Sequence, residues 1–174
     1  MINNNENQRY EIKYVLNDNN FNEALNFLYL HSKAKKKFNT RTVNSLYFDD
    51  DNLSLAKDNL DGLSNRKKLR LRWYNQENNL NFEIKTKKNR FNSKKIFPIN
   101  ILKSNIQKLK IKEINELCKK EIFNSRFEFY NFHKPILGVK YEREYFENFE
   151  GIRITIDKKI KFFDIYNNRR IDQM

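Results

Sequence analysis

The sequence contains few of the residues that build the commonest nucleotide and disulfide sites. It has only three glycines among 174 residues, which excludes a P-loop, a dinucleotide fingerprint and any glycine-rich phosphate cradle. Cys118 is the only cysteine, so no internal disulfide can form, and this favours a reducing, cytoplasmic location. No run approaches the roughly 18 apolar residues that a membrane span needs, and residues 1–8 lack the apolar core of a signal peptide.

Positive charge is what the sequence has in excess. Lys and Arg number 35 against 22 Asp and Glu, which gives a net charge of +13. Hydrophobic residues make up 39% and aromatic residues 14%, enough for one globular domain over residues 1–174. The charge predicts an anionic partner: nucleic acid, a phosphorylated small molecule or a membrane surface.

The cations are concentrated on one predicted strand, residues 65–74. Alternate residues of a strand share a face, about 7 Å apart. One face of this strand is cationic, and the other is mostly apolar and therefore expected to face a core. Like charges in such a row repel each other unless an anion lies among them. The cationic residues are Arg66, Lys68, Arg70 and Arg72, and the opposite face carries Lys67, Leu69, Leu71 and Trp73.

The remaining periodicity predicts an α+β fold in which antiparallel strands dominate and helices are inserted between them. Residues 80–86 should form a hairpin with residues 65–74. Further strands are predicted over residues 9–16, 42–48, 94–99, 136–146, 152–158 and 160–165, and helices over residues 18–31, 52–59 and two or three times within 101–130.

Several of these strands carry charge on one face and bulky residues on the other. Most such faces are solvated outer surfaces of ordinary sheets. A sheet curled with its cations inward would instead form a basic tunnel, which is costly unless a polyanion or carboxylates compensate the charge. The charged residues, with their polar neighbours, are Glu11 and Lys13, Glu83 and Lys85, Arg143 beside Tyr141, and Arg153 with Thr155 and Asp157.

Six short motifs occur in a recognisable order between Arg9 and Phe163. They are Arg9-x-Glu11-x-Lys13-Tyr14, Asn44-Ser45-Leu46-Tyr47-Phe48-Asp49, Arg66-x-Lys68-x-Arg70-x-Arg72-x-Tyr74, Phe82-Glu83-Ile84-Lys85, Tyr141-x-Arg143 and Ile152-Arg153-Ile154-Thr155-Ile156-Asp157. The order resembles the polyphosphate polymerase domain of the vacuolar transporter chaperone (VTC) family. That family belongs to the triphosphate tunnel metalloenzymes, together with the CYTH phosphatases.

The resemblance implies an eight-stranded antiparallel tunnel that binds ATP and inorganic polyphosphate or tripolyphosphate. It implies transfer of the terminal phosphate of ATP to a growing polyphosphate chain, with Mn²⁺ or Mg²⁺ as cofactor. The catalytic phosphate ligands would be Lys13, Arg70, Arg72, Lys85, Arg143 and Arg153. Arg66, Lys68 and either Lys94 or Lys95 would add phosphate contacts, and Glu11 and Glu83 are the inward carboxylates that could hold the metal or pair with neighbouring cations.

The sequence departs from the family at its carboxyl end. Family members continue past the Arg-Ile-Thr-Ile-Asp strand into strands that carry a metal-binding glutamate and a late lysine, and residues 164–174 show neither. We therefore expect a tunnel that is incomplete at its carboxyl terminus: a truncated chain, a short natural member, or one completed by a partner. A membrane-associated partner is compatible with this expectation, and the sequence does not indicate an oligomeric state.

Three other functions remain open at the level of sequence. A tunnel phosphohydrolase would act on tripolyphosphate, although Arg9 stands where the CYTH type usually has glutamate. A non-catalytic polyphosphate-binding module would bind without turnover. Nucleic-acid binding, with Trp73, Tyr74 and Phe91 as stacking groups, is disfavoured because the cations alternate with core-like residues. His31 and His133 lie off the charged faces and are not expected to be catalytic, and Cys118 is expected to pack in a helix.

Overall fold

A computed structural model describes residues 11–75, 77–100, 106–123 and 133–165 of the chain. The described residues form an α+β fold, as the sequence predicts. Its helices are α1 (Asp18–Asn26), α2 (Ser54–Leu60) and α3 (Ile111–Phe123), with a π-helical turn at Phe27–His31 and a 3-10 turn at Ile106–Lys108. Its strands are β1 (Lys35–Asp49), β2 (Asn65–Tyr74), β3 (Asn79–Lys88), β4 (Phe91–Asn100), β5 (Lys134–Glu147) and β6 (Arg153–Asp164).

The six strands form one antiparallel sheet in the order β4-β3-β2-β1-β5-β6. The hairpin predicted for residues 65–74 and 80–86 is confirmed as β2 and β3. Two strands predicted over residues 152–158 and 160–165 are a single strand, β6, in which Lys159 has a left-handed backbone with φ of 54°. In the described ranges β4 and β6 end the strand order, so these residues make an open sheet of six strands, whereas the resemblance implies a tunnel of eight.

The chain groups into two compact units. An amino-terminal unit takes in the described residues of Met1–Lys37 and Phe146–Ile154, and a sheet unit takes in those of Phe38–Tyr145 and Thr155–Met174. The single domain over residues 1–174 stays a prediction.

The core of the sheet unit lies on the apolar face of β1 to β4. Cross-strand neighbours such as Leu71 and Phe82 point to the same side, and both are fully buried. Helix α3 contributes an apolar stripe at helical spacing to the same cluster. The stripe consists of Ile111, Ile114, Cys118 and Ile122. Burial raises the pKa of the Cys118 thiol, which therefore stays protonated and packs as a small apolar group.

Asp49 ends β1 and organises the start of α2. Its carboxylate is 1% exposed and accepts backbone hydrogen bonds from Leu55 and Ala56 at 3.0 and 2.8 Å. These are the amide groups that lack partners in the first turn of a helix. The last residue of the Asn-Ser-Leu-Tyr-Phe-Asp motif is thus a structural cap in this fold.

In the amino-terminal unit, α1 begins at Asp18, where the sequence predicts the start of a helix. Asn17 is the cap, with its side chain accepting a hydrogen bond from the Asn20 amide at 3.0 Å. The helix then widens into the π-helical turn that buries Leu28. Tyr29 packs edge-on against Phe146, with ring centroids 5.8 Å apart.

The strand predicted over residues 9–16 is wrong for the part that can be described. Residues 11–16 lie outside any helix or strand and are all exposed, whereas Arg9 and Tyr10 lie outside the described residues. Alternation such as that of Ile12, Tyr14 and Leu16 yields a strand only where a neighbouring strand pairs with it, and within the described ranges none does.

Candidate functional site

The strand register places the predicted cations of β2 and β3 on one face, here called the basic face. In an antiparallel pair, directly opposite residues point to the same side. Arg70 lies opposite Glu83 on β3 and Tyr47 on β1, and Arg72 lies opposite Ser45. The basic face is therefore the reverse of the apolar face that carries Leu71.

Glu83 is the central carboxylate of the basic face. Arg70 donates to its Oε2 from Nε at 3.0 Å and also from Nη2, and Lys94 contacts its Oε1 at 2.7 Å. Glu83 is only 4% exposed. Burial opposes ionisation of this carboxyl, but the hydrogen bonds from Lys94 and Arg70 outweigh it and hold the pKa of Glu83 below its usual value.

Lys85 lies on the same face without such compensation. It is opposite Lys68 on β2 and Lys94 on β4, and it makes no hydrogen bond or ion pair with another described residue. Partial burial and the nearby charge of Arg70 lower the pKa of the Lys85 ammonium. Burial makes the larger contribution to this shift, and the neighbouring cation adds to it. Lys94 shares this face, whereas Lys95 lies opposite Ile84 on the other face, which resolves the register that the sequence left open.

Arg72 links β2 to β5. Its Nη2 donates to the hydroxyl of Tyr141 at 3.2 Å. Its Nε and the hydroxyl of Ser45, which lie on directly opposed residues, are buried and make no hydrogen bond to any described group. Buried polar atoms that lack a hydrogen bond to the protein usually bind a water molecule or a ligand oxygen. Arg72 thus keeps an unused donor on the basic face.

Arg143 is fixed by a bidentate ion pair. Its Nε and Nη2 donate to the two carboxylate oxygens of Asp157 at 2.6 and 2.7 Å. This hydrogen bonding raises the pKa of Arg143. The guanidinium also lies 5.2 Å from the centre of the Tyr141 ring. Arg143 is therefore close to Arg72 through a shared tyrosine, but its charge is balanced by Asp157.

The structure adds two residues to the basic face that the sequence did not single out for binding. Arg70 donates weakly to the hydroxyl of Tyr47 at 3.4 Å, and Arg41 lies over the rings of Phe38, Tyr74 and Tyr145. The alternation of Arg41 with Val43, Ser45 and Tyr47 was the available signal, but β1 had been predicted to begin after Arg41.

The Arg66 guanidinium is engaged by a loop, and three other predicted site residues belong to the amino-terminal unit. Nη1 of Arg66 donates to the backbone carbonyls of Gly62 and Leu63, at 3.2 and 2.7 Å, and so closes the loop before β2. Lys13, Glu11 and Arg153 belong to the amino-terminal unit. There Lys13 and Glu11 are exposed and contact each other at 3.7 Å, and Arg153 lies 3.9 Å from Glu147.

The carboxylates present do not by themselves form a metal site. Among the residues that the structure describes, no three or more His, Cys, Asp or Glu side chains converge on one point. Both oxygens of Glu83 face cations, and Glu11 pairs with Lys13. His133 is buried near Asp49 and Asp50, and burial lowers the pKa of its imidazole. A hard divalent cation prefers several oxygen ligands, which this donor set does not offer.

The described sheet buries its apolar face and carries Arg and Lys side chains on the other. A family model, the VTC domain, matches residues 8–174. The chain belongs to this family, and membership implies a polyphosphate-related function in general. A comparison with curated proteins found no match.

No helix in the described ranges is long and apolar enough to cross a membrane.

Proposed function

We propose that the basic face binds the phosphate chain of ATP and of inorganic polyphosphate. One observation supports this most directly: Arg70, Arg72, Lys85 and Lys94 share the face of the described strands β2 to β4 with one buried carboxylate, Glu83. Four cations around one carboxylate leave a surplus of positive charge that an oligophosphate would neutralise. Family membership points to the same ligand.

The cations suit this ligand for different reasons. The guanidinium of Arg72 has an unused Nε donor and can bind phosphate oxygens through two parallel hydrogen bonds. Lys85 supplies a mobile point charge that forms no ion pair with any carboxylate in the described ranges. Arg70 is oriented by Glu83, so its position is set before any ligand arrives.

We further propose that the bound ATP donates its terminal phosphate to a polyphosphate chain. A terminal oxygen of the acceptor chain would attack the γ-phosphorus, the bond from that phosphorus to the β,γ-bridging oxygen would break, and ADP would leave. The cations would neutralise the equatorial oxygens in the transition state and hold donor and acceptor in line. Mn²⁺ or Mg²⁺, bound chiefly through substrate phosphate oxygens, would supply further charge neutralisation. A cytoplasmic location is favoured by ATP as the proposed substrate and by Cys118 as a free thiol.

A polyphosphate-binding module without turnover is the second candidate. It is favoured by the ion pairs that already occupy the carboxylates of Glu83 and Asp157, which leave neither free to hold a metal. A phosphohydrolase is the third, and it differs in releasing free phosphate without chain growth.

Binding is tested first, by titrating tripolyphosphate into wild type and into the double variant Arg70→Ala, Arg72→Ala. We expect a loss of affinity of a hundredfold or more, because two charge-assisted contacts of about 1.5 to 3 kcal/mol each disappear. Arg90→Ala is the matched control, since Arg90 is an exposed arginine in the turn between β3 and β4. Unchanged affinity in the double variant, with its circular dichroism intact, would refute the assignment of the face.

Turnover is tested by incubating the protein with ATP and Mn²⁺. Polymer together with ADP supports the polymerase, and free phosphate without polymer supports the hydrolase. Tight tripolyphosphate binding without either product, in a chain extended at its carboxyl end as well as in this one, supports the binding module.

A further inference from the structure

Arg41 is a cation on the basic face whose side-chain interactions, within the described residues, are with aromatic rings. Its guanidinium carbon lies 6.0, 5.8 and 5.9 Å from the ring centres of Phe38, Tyr74 and Tyr145. It makes no hydrogen bond or ion pair with any other described residue. Its five N–H donors are therefore positioned but unused within the part of the chain that is described.

The location of Arg41 extends the row of cations along the strands. Val43 lies opposite Tyr74, and Ser45 lies opposite Arg72. Arg41 precedes Ser45 by four residues on the same face of β1, which places it about 13 Å farther along the strand direction than Arg72. The row thus runs from Arg70 through Arg72 to Arg41.

The residues between Arg72 and Arg41 on this face are not acidic. Val43, Tyr74 and Tyr145 line the interval, and Val43 belongs to a small apolar cluster with Val139 and Tyr141. The carboxylate of Asp157, on β6, is already engaged by both guanidinium nitrogens of Arg143. An anionic chain that leaves Arg72 in this direction therefore meets aromatic surface first and then a guanidinium that no described carboxylate pairs.

We propose that Arg41 is a second contact for polyphosphate, beyond the position of a triphosphate bound at Arg70 and Arg72, and that it makes the protein prefer long chains. The proposal rests on the proposed function of the basic face. The three rings fix the guanidinium so that little side-chain entropy is lost when a phosphate binds. Tyr74 and Tyr145 act as positioning residues for Arg41 and need not touch the ligand.

The test compares two ligands, tripolyphosphate and long-chain polyphosphate, on wild type and on Arg41→Ala. We expect Arg41→Ala to weaken binding of long-chain polyphosphate about tenfold, the equivalent of one charge-assisted contact, and to leave tripolyphosphate within about twofold. Arg90→Ala removes the same charge from the opposite end of the sheet and should change neither affinity. Arg41→Gln keeps most of the stem on the rings and replaces the alanine variant if that one is unstable.

The outcomes separate this proposal from the proposed function. If the double variant Arg70→Ala, Arg72→Ala no longer binds either ligand, the proposed site is supported, independently of the result for Arg41. An equal effect of Arg41→Ala on both ligands, or no effect on either, overturns the chain-length role. A lowered melting temperature with unchanged affinities also overturns it and leaves Arg41 a packing residue. Wild type that binds neither anion overturns both proposals. If Arg41→Ala weakened only the binding of a single-stranded oligonucleotide, Arg41 would be assigned to nucleic acid instead.

Discussion

Arg70 and Glu83 face each other directly across β2 and β3, and the guanidinium donates two hydrogen bonds to one carboxylate oxygen. The other oxygen of Glu83 contacts Lys94 at 2.7 Å. Glu83 therefore fixes the position of the Arg70 guanidinium and neutralises part of its charge before a polyphosphate binds. The carboxylate stabilises the empty face and competes with the ligand, and these two effects can be separated experimentally.

Glu83→Gln should destabilise the ligand-free protein by about 1 to 3 kcal/mol at neutral pH, because Arg70 and Lys94 lose their counter-charge. The pKa of Glu83 is lowered by folding, so its stabilisation is present above the unfolded-state value of about 4.3 and is lost as pH falls through the lower folded-state pKa. Urea denaturation at several pH values, followed by the fluorescence of the buried Trp73, measures the free energy of unfolding. In the variant this free energy should fall less steeply as the pH is lowered.

The same substitution should raise the affinity for tripolyphosphate. Glu77→Gln is the control, since Glu77 is exposed in the turn between β2 and β3. Equal affinity in wild type and Glu83→Gln would contradict the idea that the carboxylate competes with the ligand.

Binding of tripolyphosphate should be coupled to proton uptake at Lys85. Burial and Arg70 lower the pKa of this ammonium in the free protein, and a bound anion would raise it again. At a pH between these two pKa values, titration calorimetry in two buffers of different ionisation enthalpy should reveal protons taken up on binding.

Lys85→Gln should remove this proton uptake, whereas Lys57→Gln, on the exposed side of α2, should not. Because the folded-state pKa of Lys85 is depressed, its charge costs stability below that value, and the cost falls as pH rises from the folded-state to the unfolded-state pKa. The free variant should accordingly be slightly more stable than wild type at neutral pH. Uptake that persists without Lys85 would place the titrating group elsewhere.

Arg66→Ala should affect stability and leave binding nearly unchanged. The guanidinium of Arg66 closes the loop before β2 through the carbonyls of Gly62 and Leu63. Losing these hydrogen bonds should cost about 1 kcal/mol, while tripolyphosphate affinity should stay within about threefold. Thermal denaturation and calorimetry of one preparation give both quantities. A drop in affinity of more than tenfold at unchanged stability would make Arg66 a ligand contact after all.

Leu71→Asp should prevent folding, because Leu71 is fully buried on the apolar face, directly behind the cations. Burying an unpaired carboxylate there costs about 4 kcal/mol or more. Leu60→Asp introduces the same group at a leucine that is 85% exposed on α2 and should stay within about 0.5 kcal/mol of wild type. Circular dichroism shows whether each of the two variants is folded. A folded Leu71→Asp protein would reverse the assignment of the apolar and basic faces.

The strength of local patterning explains which elements the sequence could predict. Strand β2 has the predicted bounds, because its cations and apolar residues alternate without a break. The first residues of β1 are polar and exposed, so nothing in them indicated a strand, and Arg41 was missed as a result. Arg41 also depends on Tyr145, whose position is set by a strand much later in the chain.

The sequence predicted which strand face the site residues occupy, but not which residues they contact. Strand alternation alone placed Arg70, Arg72, Glu83 and Lys85 on one side. Whether Glu83 would hold a metal or neutralise cations depends on register and side-chain direction, and the structure shows it held by Arg70 and Lys94. Arg66 fitted the same alternation, yet a nearby loop engages its guanidinium.

The basic face is assembled from contacts of very different range along the chain. Arg70 and Glu83 are 13 residues apart, whereas Arg72 and Tyr141 are 69 apart. Closing the shorter loop loses less chain entropy, so the β2–β3 hairpin should form early in folding and the attachment of β5 late. In kinetic analysis, Ile84→Val should mainly slow folding and Val139→Ala should mainly speed unfolding. During folding the cations of β2 would therefore come together before β5 joins the sheet, so a polyanion in the solution could accelerate folding by binding the hairpin first.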